Sequence, residues 1–276
     1  MKGNKILIAM AAGSGTRMGS ETPKQFLSLG GIPILRRTME TFIAAVPGIQ
    51  VITVLPSDYL SFWKEYCLSA DFTYPQVLVA GGFTRFHSVR NALDRVPDGT
   101  IVAIHDGVRP LLSRDLVRNM FTEMEERNLE ALIPVVPAVD TLKILDTVQG
   151  PDGETLVPAE GEEVDRSRIF GAQTPQMFRS EAIREAYSLP FETTFTDDAS
   201  VARKKGIPLS FCNGERYNFK ITSPEDLALA ELIVSSTCHW YPGNWCACSP
   251  SPRPGVRWPG RGRSWSRWTG CKVSSA

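Results

Sequence analysis

Apolar residues fall along the chain in two alternating rhythms. Unbroken runs of four to seven residues occur at Lys5 to Ala11, Ile49 to Leu55, Gln76 to Ala80, Ile101 to His105, Ala131 to Val136 and Pro208 to Phe211. Runs without polar alternation are what strands covered on both faces require. Between them a three-and-four spacing predicts helices through Phe86, Val89, Leu93 and Val96, and through Leu116, Val117, Met120 and Met124 behind Ser113. Another helix is expected with Ser57 as its cap, burying Leu60 and Trp63 or Tyr66. The last helix is the clearest: Ser223 as N-cap, Pro224 first, Asp226 three residues on, then Leu227, Ala230 and Val234. This alternation predicts an α/β fold with a mainly parallel sheet, whose ligands sit at the carboxyl ends of the strands.

Residues 139–170 break the rhythm. Their turn signal, Gly150-Pro151-Asp152-Gly153, predicts an extended hairpin or arm rather than another strand–helix unit. An arm of this length is either a surface loop or a contact between two copies of the chain.

The last 39 residues, from Cys238, are different in kind: they carry five of the six Trp, five Pro and five Gly, and no period. The expected domain is therefore 1–236, followed by a tail at 237–276 that does not fold as a domain. Cys246, Cys248 and His239 lack the spacing of a zinc knuckle. The Arg/Trp mixture is compatible with contact to nucleic acid or membrane, but it resembles most a stretch translated out of frame.

Charge changes the picture only through its distribution. The formal net charge is zero, but the tail holds five Arg, one Lys and no acid, which leaves 24 basic against 30 acidic residues in the body. A globally basic nucleic-acid binder is excluded for that body, so any attraction of anions must be local. No apolar run reaches the roughly 18 residues of a membrane span. Lys2 and Lys5 before Ile6 to Ala12 are too brief an imitation of a signal peptide. Cys67 and Cys212 alone make no disulfide framework, and a reduced, cytoplasmic setting is expected.

The candidate chemistry begins after the first strand, in Ala11-Ala12-Gly13-Ser14-Gly15-Thr16-Arg17-Met18-Gly19 followed by Pro23-Lys24-Gln25-Phe26. Glycines there let main-chain N–H groups approach a phosphate chain, and Arg17 and Lys24 neutralise its charge. It is not a P-loop, because GK[ST] is missing, and the third glycine of G-x-G-x-x-G is replaced by Met18.

Together with GGFTRFHSV at 81–89, HDGVRP at 105–110, DTLK at 140–143, TPQMF at 174–178, TDDAS at 196–200 and NFKITSPEDLALAE at 218–231, this segment resembles the sugar-nucleotide pyrophosphorylases and their relatives. Within them it is similar to the 2-C-methyl-D-erythritol 4-phosphate cytidylyltransferases, from residue 5 to about 235. The resemblance implies a Rossmann-like nucleotidyltransferase fold with a protruding β-arm. It also implies CTP as co-substrate, a divalent ion such as Mg2+, and a homodimer with a shared active site.

It further implies roles. Arg17, Lys24 and Lys220 match the catalytic cations, and Ala11, Ala12, Gly13, Gly15, Gly81, Gly82, Ser88 and Gly107 match the nucleotide-binding segments. Asp106 and Arg109 would face the sugar phosphate, with Asp106 also beside the metal. Thr141 and Arg166 would hold the substrate phosphate, the arginine reaching across from a partner subunit; otherwise Arg166 pairs with Glu162, Glu163 or Asp165. Thr196, or Thr194, would touch substrate, and Asp197 and Asp198 would fix their loop. Phe83 departs from relatives that carry an acid there. His105 is expected to be structural, because a phosphate nucleophile is already anionic and needs no base. Ribitol-5-phosphate cytidylyltransferase is the competing enzyme reading. A catalytically silent nucleotide-binding module is the competing one of another class.

Overall fold

The first apolar run forms β1 (Asn4–Met10), an interior strand of the main sheet, in a computed structural model that describes residues 4–13, 22–150, 153–159 and 164–240. A small hairpin, β2 (Ser28–Leu29) and β3 (Ile32–Pro33), turns through Gly30 and Gly31, both at positive φ. Then come α1 (Ile34–Ala45), β4 (Gln50–Leu55), α2 (Leu60–Ser69), β5 (Gln76–Ala80), α3 (Arg85–Leu93), β6 (Thr100–Asp106), α4 (Arg114–Glu126) and β7 (Ala131–Pro137). The arm contributes β8 (Leu145–Gly150) and β9 (Gly153–Pro158). The chain closes with β10 (Phe170–Ala172), β11 (Gln176–Arg179), α5 (Ser180–Ala186), α6 (Asp198–Lys205), β12 (Ser210–Asn213) and α7 (Pro224–Trp240).

Strands β6, β1, β4 and β5 lie side by side and parallel. Antiparallel β11 sits between β6 and β7, β10 is antiparallel to β7, and β12 pairs with β7 in parallel, completing eight strands. The unbroken apolar runs are explained by two cores. Leu7, Ala9 and Ala11 face Phe42, Trp63 and Phe121 on one side, while Ile6, Ile8 and Met10 face Phe86, Val89 and Tyr187 on the other. A strand with successive side chains in two cores has no polar face to display.

The helix signals from Ser113 and Ser223 hold. Ser113 Oγ accepts from Leu116 N at 2.9 Å, and Ser223 and Asp226 exchange hydrogen bonds of 2.9 and 3.4 Å, closing a capping box. Ser57 is not a cap. It lies in a single 3-10 turn, Ser57–Tyr59, a full turn upstream of α2, and its hydroxyl donates to Asp58. The strand expected from Pro208 begins at Ser210 instead, because Pro208 has no N–H to give to the ladder. Strands β10 and β11 had no periodic signature; at three and four residues they are too short to show one.

The predicted arm is present as a hairpin separate from the main sheet, its strands solvent-exposed along nearly all their length. Helix α7 continues four residues past the expected boundary at 236. Cys67 and Cys212 are unpaired, and burial pushes each thiol up to about 11, which keeps them unreactive. Among the described residues no helix is long and apolar enough to cross a membrane.

Candidate active site

Adjacent parallel strands deliver their loops to one place. Met10, the last residue of β1, is in register with Asp106, the last of β6, and β5 ends at Ala80 beside Leu55 of β4. The ladders continue briefly past these ends: Gly107 N donates to Met10 O at 2.8 Å, Ala11 N to Val54 O at 2.9 Å and Gly81 N to Leu55 O at 2.8 Å. The loops therefore leave the sheet with fixed directions. Between them lies a cavity of about 500 Å³, whose lining includes Ala11 to Gly13, Lys24, Gly82 to Arg85, Ser88, Asp106 and Lys220.

Two glycines are demanded by close approach rather than by backbone angle. A Cβ on Gly81 would stand 2.5 Å from the Cβ of Ala12, and one on Gly107 would stand 2.8 Å from Leu35 Cδ1. Both positions let two loops meet at the cavity rim. Gln25, 1% exposed, adds a clamp: its side-chain amide donates to Ala11 O at 2.7 Å and to Gly13 O at 3.3 Å. With these carbonyls held by Gln25, the loop is fixed with Gly13 at the cavity lining, beside Lys24.

Asp106 is the electrostatic centre. Its Oδ2 lies 3.2 Å from both Lys220 Nζ and Arg109 Nε, and Arg85 Nε stands 3.9 Å from Oδ1. Burial alone would push this carboxyl up, but Arg85, Lys220 and Arg109 outweigh it and hold the group well below the usual carboxylate range. Arg109 also donates to Asn218 O at 2.7 Å, and Ile221 N bonds Val108 O at 2.9 Å, so the segment bearing Lys220 is tied to the end of β6. Behind it, the buried Asn218 amide donates to Thr174 O and Gln173 Oε1, and Gln173 pairs with both main-chain groups of Glu215.

His105 is structural, as expected. Its Nε2 lies 3.3 Å from Arg109 O, which can only accept, so Nε2 carries the proton. Nδ1 then accepts from the Thr174 hydroxyl at 2.9 Å, and that oxygen accepts from Asp106 N at 3.1 Å. Burial holds the imidazole neutral, lowering its pKa to about 3.

The structure brings together most of the expected site. Ala11, Ala12, Gly13, Lys24, Gly82, Ser88, Asp106 and Lys220 line the cavity; Gly81 and Gly107 support its rim, and Arg109 holds Asp106. Gly15 and Arg17 lie outside the described residues, as do Glu162 and Glu163. Ser88 also closes its own loop. Its hydroxyl donates to Thr84 O at 2.9 Å and accepts from Gly82 N at 3.0 Å, which holds the turn before α3 closed at the cavity lining.

Thr141, Arg166 and Thr196 are exposed and do not line the cavity. Arg166 donates to Val139 O at 2.9 Å, while Asp165 accepts from Ser167 instead of pairing with it. Thr194 is bonded to Glu192. Asp197 caps α6 in a capping box and accepts from Gln176, which fixes the loop as expected. Asp198 goes further: fully buried, it holds Arg85 through two bonds of 2.7 and 2.6 Å. The sequence does not single out Arg85 or Gln25, which the structure places in the cavity lining. Both stand inside motifs the sequence displays, but nothing in residue type or spacing distinguishes them from surface-facing neighbours.

Among the described residues no three His, Cys, Asp or Glu side chains cluster as a metal cage. The donor set instead fits an ion carried mainly by phosphate oxygens. Asp106 is ionised, reaches the cavity, and among the described residues has no hydrogen bond to its Oδ1.

The family model for 2-C-methyl-D-erythritol 4-phosphate cytidylyltransferase matches residues 5–236. The enzyme of that name from Porphyromonas gingivalis is 44% identical over 237 residues, covering 86% of this chain and 100% of its own. Among solved structures, 4-diphosphocytidyl-2C-methyl-D-erythritol synthase from Anaerococcus prevotii superposes with a TM-score of 0.66 at 26% identity, covering 85% of this chain and 100% of its own. The 2-C-methyl-D-erythritol 4-phosphate cytidylyltransferase of Thermus thermophilus does so with a TM-score of 0.60 at 30% identity, over 84% and 98%.

Proposed function

Because the chain belongs to the family of 2-C-methyl-D-erythritol 4-phosphate cytidylyltransferases, we propose that the cavity between β1, β5 and β6 is where it performs that reaction. The enzyme transfers CMP from CTP to 2-C-methyl-D-erythritol 4-phosphate, a step of isoprenoid synthesis. A phosphate oxygen of the sugar alcohol attacks the α-phosphorus of CTP, a new O–P bond forms, and the bond to the β-phosphate breaks to release pyrophosphate. Such a transfer needs in-line placement and fixed positive charge more than covalent help.

The observation that carries the assignment of the site is the convergence of Arg85, Arg109 and Lys220 around one carboxylate at the carboxyl ends of parallel strands, with Lys24 lining the same cavity. Lys24, beside the Ala11–Gly13 loop, takes the triphosphate together with Arg17. Lys220 faces the position where charge grows on the transferring phosphoryl group. Gly81, Gly82 and Phe83 border the base, with Ser88 holding their loop closed. Asp106 orients Lys220 and Arg109, and its Oδ1, which faces Arg85 without a hydrogen bond among the described residues, would be a ligand for Mg2+. The ion, when bound, neutralises phosphate charge and polarises the phosphorus centre.

The same reading makes the enzyme a cytoplasmic homodimer. Thr141 and Arg166 sit on an arm whose exposed face carries Leu145 and Leu156, and neither reaches the cavity of its own chain. They serve a partner's site if two arms embrace. Residues 1–236 form the enzyme domain, and the tail from 237 takes no part.

The test is Mg2+-dependent pyrophosphate release from CTP by the full chain, with each sugar phosphate supplied separately. Release with methylerythritol phosphate is expected. Release with ribitol 5-phosphate alone would move the chain to polyol-nucleotide synthesis, and release with neither would leave a silent nucleotide-binding module.

A further inference from the structure

We propose that Arg85 is a positioning residue for the transfer, locking the carboxylate of Asp106 against Asp198 and thereby making the loop before α6 part of the active site. It rests on the cytidylyltransferase reading of the cavity. Arg85 is the first residue of α3 and lines the cavity, with Thr84 as N-cap behind it. Its two terminal nitrogens grip Asp198 from the start of α6, leaving Nε on the edge that faces Asp106 Oδ1 at 3.9 Å.

The two oxygens of Asp106 are served differently. Oδ2 is held by Lys220 and Arg109, while among the described residues the cation that faces Oδ1 is Arg85. A carboxylate turns easily about its last torsion. A guanidinium fixed on its far side sets which way Oδ1 points, and with it the geometry of Lys220 on the opposite oxygen. Asp198 is itself fixed, since it is fully buried and accepts from the Tyr187 hydroxyl at 2.5 Å. Tyr187 in turn stacks on Phe86, the next residue after Arg85, with ring centroids 4.7 Å apart. Rigid anchoring at one end gives the other end its precision. An arginine needed only to neutralise a buried aspartate has no reason to lie across a second carboxylate in the cavity.

The alternative is a purely structural ion pair, and a double variant separates the two. In the full-length enzyme, Arg85→Gln strands the Asp198 charge, so both melting temperature and turnover should fall. Arg85→Gln combined with Asp198→Asn removes both charges and should restore most of the melting temperature. If Arg85 positions Asp106, kcat of the double variant stays at least about tenfold down with KM for both substrates changed less than about threefold. Recovery of kcat together with stability would overturn the proposal. So would a loss confined to KM for CTP, which would make Arg85 a nucleotide contact instead. Arg85→Lys covers the case in which the double variant does not fold. Lysine can neutralise Asp198 but offers one point charge where two edges are needed, so kcat should again fall about tenfold in a stable protein, and an unchanged kcat refutes the role. Wild-type enzyme run in parallel shows whether the underlying activity is present; its failure would count against the function and not against Arg85.

Discussion

Lys220 Nζ stands 3.2 Å from Asp106 Oδ2, although 114 positions separate the two residues in the chain. The lysine is brought there by backbone and side-chain bonds that tie its segment to the end of β6, through Ile221 to Val108 and through Arg109 to Asn218. The pair keeps a cation aimed into the cavity while the carboxylate holds it in place. Lys220→Gln should therefore reduce kcat by roughly a hundredfold or more, with a much smaller effect on KM for CTP. Steady-state kinetics beside a circular dichroism spectrum checks it. A variant within threefold of wild type would remove Lys220 from the mechanism.

Gln25 should matter through the loop it clamps. Gln25→Leu frees the carbonyls of Ala11 and Gly13, costs about 1–3 kcal/mol of stability, and lets the loop at the cavity lining wander. Kd for CTP should rise about tenfold, corresponding to ~1.4 kcal/mol of binding. Calorimetric titration with CTP measures it, and unchanged affinity in a destabilised protein would confine Gln25 to folding.

Phe83 is fully exposed at the mouth of the cavity and buries nothing in the free protein. An exposed ring at a nucleotide site gains by stacking on a base. Phe83→Ala should leave the melting temperature unaltered and raise KM for CTP about five- to tenfold. Equal KM in the two proteins would show that the ring stays in water when nucleotide binds.

Acid should weaken the fold through His105. Its pKa falls from an ordinary 6.5 to about 3, so between these values the unfolded chain binds a proton that the folded one refuses. Stability is then lost as pH falls from 6.5 toward 3, at up to ~1.4 kcal/mol per pH unit. The depressed Asp106 adds a contribution that is present above its unfolded pKa and disappears as pH drops through its folded one. His105→Gln keeps a donor for Arg109 O but does not titrate. Its melting temperature should start lower at pH 7 and fall less steeply down to pH 4, and parallel curves would show that His105 is not the sensor.

The arm should decide assembly. Leu145 and Leu156 lie on the same face of the hairpin, one from each strand, and both are exposed. If the proposed dimer forms through this face, replacing both with Asp should give a monomer in sedimentation and remove activity, with secondary structure intact. An active monomer would refute the shared site.

The sequence by itself determined the layers of this protein. Apolar runs such as Ile6 to Ala11 demand cover on both faces, and Ser113 and Ser223 announce their helices, because such signals depend on neighbours a few residues away. It also displayed the glycine-rich loop and the Asp106, Arg109 and Lys220 motifs, whose residue types already suggest anion chemistry. Only the tertiary structure decided which of these groups meet. Strand β11 slips between β6 and β7 on a four-residue pairing that no local period reports. Asp198 reaches Arg85 across 113 positions, and Gln25 turns inward to carbonyls that any polar side chain could have left to water. These contacts are set by the packing of helices on the sheet, where the direction of a side chain follows from elements far away in sequence. Propensity acts over a turn of helix or a pair of strand residues; an ion pair between α3 and α6 exists only once both helices are docked on the same face.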